Sequence, residues 1–207
     1  AIRGCTGDIT VTGCLGQRFI GAGLGQERLT ITGTPGNALG AYLDGACIEV
    51  RGDAQDAVGD TMNAGRIVVH GSIGDAAGYA MRGGELYVAG NAGYRAGIHM
   101  KAYGDKLPVM VIGGRAGSFL GEYQAGGIII VLGLTERSRP IVSNFPCTGM
   151  HGGKLFLRSD CRDILFPSQV VVRPADEADL REIEGYLHTF CRLFGGRCRE
   201  LLHHPFT

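Results

Sequence analysis

Apolar residues along this chain recur in short alternating pairs: Leu29/Ile31, Ile48/Val50, Ile67/Val69, Leu86/Val88, Ile129/Val131 and Leu155/Leu157. Alternation with period two places both members of a pair on one face of a strand. Ahead of each pair runs a stretch punctuated by glycine, and the punctuation repeats. Gly71, Gly74 and Gly78 lead to Met81 and Leu86; nineteen residues later Gly90, Gly93 and Gly97 lead to Met100. Nineteen residues earlier come Gly52, Gly59 and Met62, with Gln55 in the middle slot, and before them Gly33, Gly36, Gly40 and Leu43. A looser copy begins at Gly13 and Gly16. After an insertion around His99–Pro108 the pattern resumes as Gly114, Gly117 and Gly121, and a last half copy runs from Met150 to Leu157.

A strict repeat of this length means that each copy makes one structural unit stacked on the next. No copy holds a helix-length periodic segment, which excludes βαβ units. Glycine does not recur at every third position, which excludes collagen, and nineteen residues are too few for a four-stranded propeller blade. The expected fold is all-β: a right-handed parallel β-helix of about seven rungs, with Ala, Val, Ile, Leu and Met filling a narrow interior. The glycines at 33, 36, 40, 52, 59, 71, 74, 78, 90, 93, 97, 114, 117 and 121 are expected to be structural corners, where φ is positive or a Cβ has no room. Local bulges are expected at Gln55 and around Ser143-Asn144. Val170–Val172 before Pro174 should close the strand region.

Beyond it the period changes. Asp176 is a candidate N-cap with Asp179 three residues on. Leu180, Ile183, Leu187, Phe190 and Phe194 then form one stripe at helical spacing, ended by Gly195-Gly196. The domain boundaries expected are 1–174 for the β-helix and 175–207 for a helical cap or tail, whose stripe covers an open end or a side of the rod.

Composition agrees with a corner-rich coil, since 36 of 207 residues are glycine. Twenty basic and twenty acidic side chains cancel, which argues against a nucleic-acid or anionic-membrane partner held by long-range charge. No apolar run approaches a membrane span. No secretory leader is legible at the start, and seven scattered cysteines without a CxxC pair suit a reduced compartment. The expected location is the cytoplasm.

Catalytic signatures are sparse. Neither the Gly-Lys-Ser/Thr ending of a phosphate loop nor a Gly-x-Ser-x-Gly elbow occurs. His70 could face an acid of a neighbouring rung such as Asp53 or Asp75, and Cys147 reads as a buried thiol. Cys191, Cys198 and His188 lack a recognised zinc spacing. Asp44, Asp56, Asp60, Asp75 and Arg82 read as different offsets of the repeat, so no carboxylate column is expected, and Tyr79 and Tyr94 form no aromatic ladder. No catalytic, cofactor or metal site is assigned. Insertions in a solenoid emerge as loops on a binding face. Lys101, Tyr103 and Lys106 in the first insertion, with Arg137 and Arg139 in the irregular stretch Thr135–Pro146, are the candidate partner interface.

The stretches Gly71-Ser-Ile-Gly-Asp-Ala-Ala-Gly-Tyr-Ala-Met-Arg-Gly-Gly84 and Gly90-Asn-Ala-Gly-Tyr-Arg-Ala-Gly-Ile-His-Met100 resemble the GXGXG domain that closes the glutamate synthase large subunit. Its stand-alone form is similar also at Val111–Gly127 and Thr148–Gly153. A subunit of formylmethanofuran dehydrogenase shares the repeat. The resemblance implies a scaffold without its own chemistry or cofactor in a glutamate-synthase-like oxidoreductase. Its partners would be a glutaminase-like chain and a synthase-like chain carrying FMN and an iron–sulfur cluster, which together make glutamate from glutamine-derived ammonia and 2-oxoglutarate. Here Ala1 stands first, where the glutaminase part of that family uses a cysteine, and no cysteine set matches the iron–sulfur motif. The alternatives are a scaffold like the repeat-bearing subunit of formylmethanofuran dehydrogenase and a self-contained carbohydrate-active β-helix enzyme; a homo-oligomer stays open.

Overall fold

A computed structural model describes residues 7–135 and 139–207. Eight strands form one sheet in sequence order: β1 (Asp8–Leu15), β2 (Arg28–Thr34), β3 (Asp44–Arg51), β4 (Ala64–Val69), β5 (Glu85–Val88), β6 (Val109–Ile112), β7 (Ala125–Val131) and β8 (Gly152–Leu157). Every neighbouring pair is parallel. Parallel pairing of consecutive strands requires the chain to travel a full circuit between them, so the architecture is the expected right-handed β-solenoid with a C-terminal helix. A second ladder on another side of the coil runs Ala54, Ile73, Ala92, Ala116, Val142.

The register explains the repeat. Leu29, Ile48, Ile67, Leu86, Met110, Ile129 and Leu155 stack as one inward column, and Ile31, Val50, Val69, Val88, Ile112, Val131 and Leu157 as a second. Leu43, Met62, Met81 and Met100 are buried in the same core. Fully burying side chains of this size is worth about 1.5–3 kcal/mol each, and like stacked on like fills the bore at every level. Gln124 interrupts the methionine series: it is fully buried, and its Nε2 donates to the carbonyls of Gly126 and Gly127 at 3.2 Å.

One strand goes beyond the sequence reading. The Met100-to-Met110 interval is five residues longer than Met81-to-Leu86, so Met110 and Ile112 fall out of the nineteen-residue register although they pair with Leu86 and Val88. Strand β6 is also buried on both faces, which removes the alternation that marks a half-buried strand. One expectation is overturned: Val170–Val172 is no strand, and Val171 lies 87% exposed. The last strand is β8.

Helix α1 (Glu177–Phe194) follows its cap as expected. Asp176 accepts hydrogen bonds from the N–H groups of Ala178 and Asp179, and the Asp179 carboxylate accepts one from the Asp176 N–H, closing a capping box. With the short α2 (Cys198–Leu202) it lies on the flank of the coil. Ile183, Leu187, Phe190, Leu201 and Phe206 pack on Tyr87, Val109, Val111, Ile128, Ile130 and Phe156, the outward side chains of β5–β8, and on Leu132 just past the end of β7. Gly113 carries no side chain where the Phe190 ring approaches: a Cβ there would meet it at 2.7 Å. The tail therefore shares a core with the sheet's outer face. The end of the interior is instead lined by Cys161, Ile164 and Phe166 from the irregular segment after β8.

Candidate interaction surface

Each circuit contains a turn in which three residues, spaced by two, have positive φ. In one rung these are Ala38, Gly40 and Tyr42; further along they are Arg95, Gly97 and His99, then Phe119, Gly121 and Tyr123, then Phe145, Cys147 and Gly149. Two overlapping turns result. The Ala41 N–H donates to the Ala38 carbonyl and the Leu43 N–H to the Gly40 carbonyl, with the left-handed third residue that a type II turn requires. Glycine suits the middle position because a Cβ at Gly40 would press on the Ile67 side chain at 2.6 Å. At the flanking positions of the later rungs the side chains of Arg95, His99, Tyr123 and Phe145 are exposed and that of Phe119 half-buried.

On the later rungs those side chains are aromatic and gathered. The rings of His99 and Tyr123 stack with centroids 5.2 Å apart, Tyr79 meets His99 edge-on at 5.8 Å, and Phe119 lies 5.3 Å from Phe145. The Arg95 guanidinium sits 4.8 Å over the Phe119 ring while its Nε donates to the Glu122 carboxylate at 3.0 Å. Tyr79, Tyr123 and Phe145 remain 41%, 46% and 60% exposed. A left-handed φ costs a bulky residue about 1–2 kcal/mol, and partly exposed rings recover little of that by burial. Contiguous exposed aromatics with a stacked arginine have the composition of protein interaction sites.

Tyr94 takes no part in these ring contacts, so Tyr79 and Tyr94 form no ladder with each other; the cluster that joins Tyr79 to His99 and Tyr123 was not anticipated. It was hidden because its members are of three residue types and an insertion separates His99 from Tyr123. The carboxylates correct an expectation. Asp56 and Asp75 stand nineteen residues apart, at equivalent corners, and the Asp75 N–H donates to Asp56 Oδ1 at 2.9 Å. Tyr94 N–H donates in turn to Asp75 Oδ1, and a parallel series joins Asp53, Ser72, Asn91 and Arg115 by side-chain acceptance from the next rung's N–H. These oxygens satisfy corner backbone that the ladders leave unpaired. The same side chains explain the remaining corners: a Cβ on Gly71, Gly74, Gly90, Gly93 or Gly114 would strike a side-chain oxygen from the preceding rung, and one on Gly33, Gly36, Gly52 or Gly117 its backbone. Gly59, Gly78, Gly97 and Gly121 hold the middle turn position with positive φ.

His70 meets neither Asp53 nor Asp75. Its Nε2 lies 2.9 Å from Glu49 Oε1, and its ring contacts Phe194 at 5.2 Å. Cys147 occupies a glycine slot of the turn, and burial pushes its thiol up to about 12, so it stays protonated and unreactive at neutral pH. No group of three or more His, Cys, Asp or Glu able to hold a metal occurs among the described residues, and no helix among them is long and apolar enough to cross a membrane.

Lys101, Tyr103 and Lys106 are exposed on the first insertion, where Tyr103 and Lys106 pair backbone to backbone and Lys106 Nζ reaches Asp44 at 3.4 Å. This loop leaves the coil just before a strand begins. The second insertion leaves after a strand ends, where Thr135 Oγ1 donates to Asn91 Oδ1 and Arg115 Nε to the Pro140 carbonyl. Arg139 is exposed there, and Arg137 lies outside the described residues. The insertions thus depart from opposite ends of the strands.

Similarity to known proteins follows the coil. An uncharacterized protein of Methanocaldococcus jannaschii is 47% identical over 191 residues, spanning 90% of this chain and 73% of that protein. A chain of the formyltransferase/hydrolase complex of Methylorubrum extorquens, solved with methylofuran, superposes with a TM-score of 0.58 at 25% identity, covering 85% of this chain and 70% of that one. This match carries the likeness toward formyl-group complexes, whereas the sequence reading had put glutamate synthase first. The family model described as the GXGXG motif matches residues 5–205, and the chain belongs to that family.

Proposed function

We propose that this chain is a non-catalytic scaffold subunit of a multi-subunit complex handling formyl groups on a furan-type carrier, in the manner of the repeat-bearing subunit of formylmethanofuran dehydrogenase. The carrying observation is the shared coil, 25% identical over 85% of this chain, with a component of the formyltransferase/hydrolase complex. The chain's own construction supports a structural role. The bore is filled by stacked apolar columns, and the corner carboxylates, hydroxyl and amide are engaged in holding backbone. The turn face from Arg95 to Phe145 is the docking surface in this reading.

Isolation of the untagged complex from its native cell, with identification of the co-purifying chains, tests the proposal. Formyltransferase/hydrolase-type or molybdenum- or tungsten-containing subunits are the expected result. Glutaminase-like and FMN-binding chains would overturn it in favour of the glutamate-synthase reading. Turnover of a polysaccharide by the purified chain alone would overturn both.

A further inference from the structure

Strand β8 is the last of the sheet, and its far side is an edge. In a parallel ladder, residues whose backbone groups face one neighbour alternate with residues facing the other. Arg158 N–H donates to the Val131 carbonyl, on the β7 side; the backbone groups of Phe156 and Lys154 share that side, and those of Leu157 and Leu155 point away from β7, to the open edge. At Leu157 the outward groups are engaged: its N–H donates to the Thr207 carbonyl at 2.8 Å and the Thr207 N–H donates back at 2.9 Å. That reciprocal pair is the bonding unit of antiparallel strands. Two residues along, the outward N–H and carbonyl of Leu155 meet no backbone partner among the described residues.

They open instead into a groove of about 330 Å³ between β8 and the 166–173 segment, with Met150, Leu155, Phe166, Val170 and Val172 among its walls. The cations on its rim are already neutralised. Arg173 Nη1 lies 2.6 Å from Asp179 Oδ2, and Lys154 Nζ lies 2.5 Å from Glu182 Oε2 and 3.9 Å from Asp179. A small anion therefore has no uncompensated charge to bind. An alkyl chain would suit the walls but would desolvate the Leu155 N–H and carbonyl without replacing their hydrogen bonds. A peptide backbone satisfies both requirements, since it bonds the edge and places alternate side chains on the walls.

We propose that this groove binds a short, uncharged, extended peptide segment of a partner polypeptide, which adds to the β8 edge at Leu155 as Thr207 already does at Leu157. The segment spans two to three residues, about 7–10 Å at strand rise. The site is independent of which complex the chain serves, and identification of that complex leaves it standing or falling on its own test.

Amide hydrogen exchange of the full chain, followed by NMR, supplies that test, with a short capped peptide of alternating threonine and valine as probe. Leu155 N–H should exchange fast in the chain alone and at least about tenfold more slowly in millimolar peptide, while Phe156 N–H, bonded within the sheet, should not change. Val172→Glu, at a half-exposed position, should keep the melting temperature and lose the slowing. A Leu155 amide already slow in the free chain, no slowing with peptide, or equal slowing by decanoate or inorganic phosphate would each overturn the proposal.

Discussion

The two halves of the sheet carry the same inside and opposite outsides. Thr30, Glu49, Val68, Tyr87, Val111, Ile130 and Phe156 form one outward column in strict register. At Thr30 and Glu49 it is polar and partly exposed; from Tyr87 onward it is apolar and buried under α1. Val68 is the border, and beside it the last ring of the helix, Phe194, rests on His70. The inward columns show no such change. The repeat thus governs the bore, where each rung meets only its like, while each strand's outer face is set by what lies against it. A parallel strand covered on both sides reads as a continuous apolar run, as Val109–Ile112 does, whereas one covered on a single side alternates.

The largest effect should come from giving a covered position the side chain of a bare one. Ile130→Asp places a carboxylate beneath α1 without a partner and should cost about 4 kcal/mol, read by denaturant unfolding. Removing the matching element from the helix side comes next. Phe190→Ala leaves a cavity against Gly113 and should cost about 3–4 kcal/mol in the same measurement.

Smaller effects attend the cap that holds the cover in place. Asp176→Ala should cost about 1 kcal/mol. Its partner Asp179 has its carboxyl held below the usual carboxylate range, chiefly by the Arg173 hydrogen bond and then by the Asp176 N–H. The unfolded chain therefore takes up this proton first as the pH falls. The stabilisation is complete above the unfolded value of about 3.9 and is lost as the pH drops through the lower folded value. The melting-temperature gap between the natural chain and Asp179→Asn should be wide near neutrality and close in strong acid.

The smallest effect is the converse of the first. Glu49→Val, on the bare half, removes only partly exposed contacts to His70 and Arg51 and should stay within about 0.5–1 kcal/mol of the natural chain. A loss comparable to that of Ile130→Asp would erase the distinction between the halves.

Much of the coil is legible in the chain because its signals are local or recur at a constant interval. Ile48, Ile67 and Leu86 announce their stacking by an unbroken spacing of nineteen, and α1 announces its ends by Asp176 and Gly195. The candidate surface is less legible. The Tyr79, His99 and Tyr123 rings come together because one rung follows another in space, across an insertion that breaks the count in sequence. The corner series from Asp53 to Arg115 mixes aspartate, serine and asparagine; its members share a geometric task, acceptance of the next rung's N–H, and no residue type. Asp56 and Asp75 did carry the period, and their equivalence was there to be read.

The amino-acid order alone determined that the chain coils, what fills the coil and where the terminal helix begins and ends, since alternation, glycine spacing and a helix N-cap act over a few residues. Tertiary structure alone decided that α1 lies along a flank and not over an end, that Val109–Ile112 is a strand, that rings from four rungs share one face, and that the outward N–H and carbonyl of Leu155 meet no backbone partner among the described residues. Each of these depends on surfaces brought together from distant parts of the chain. Burial and hydrogen-bond satisfaction settle such contacts only when the whole coil is in place.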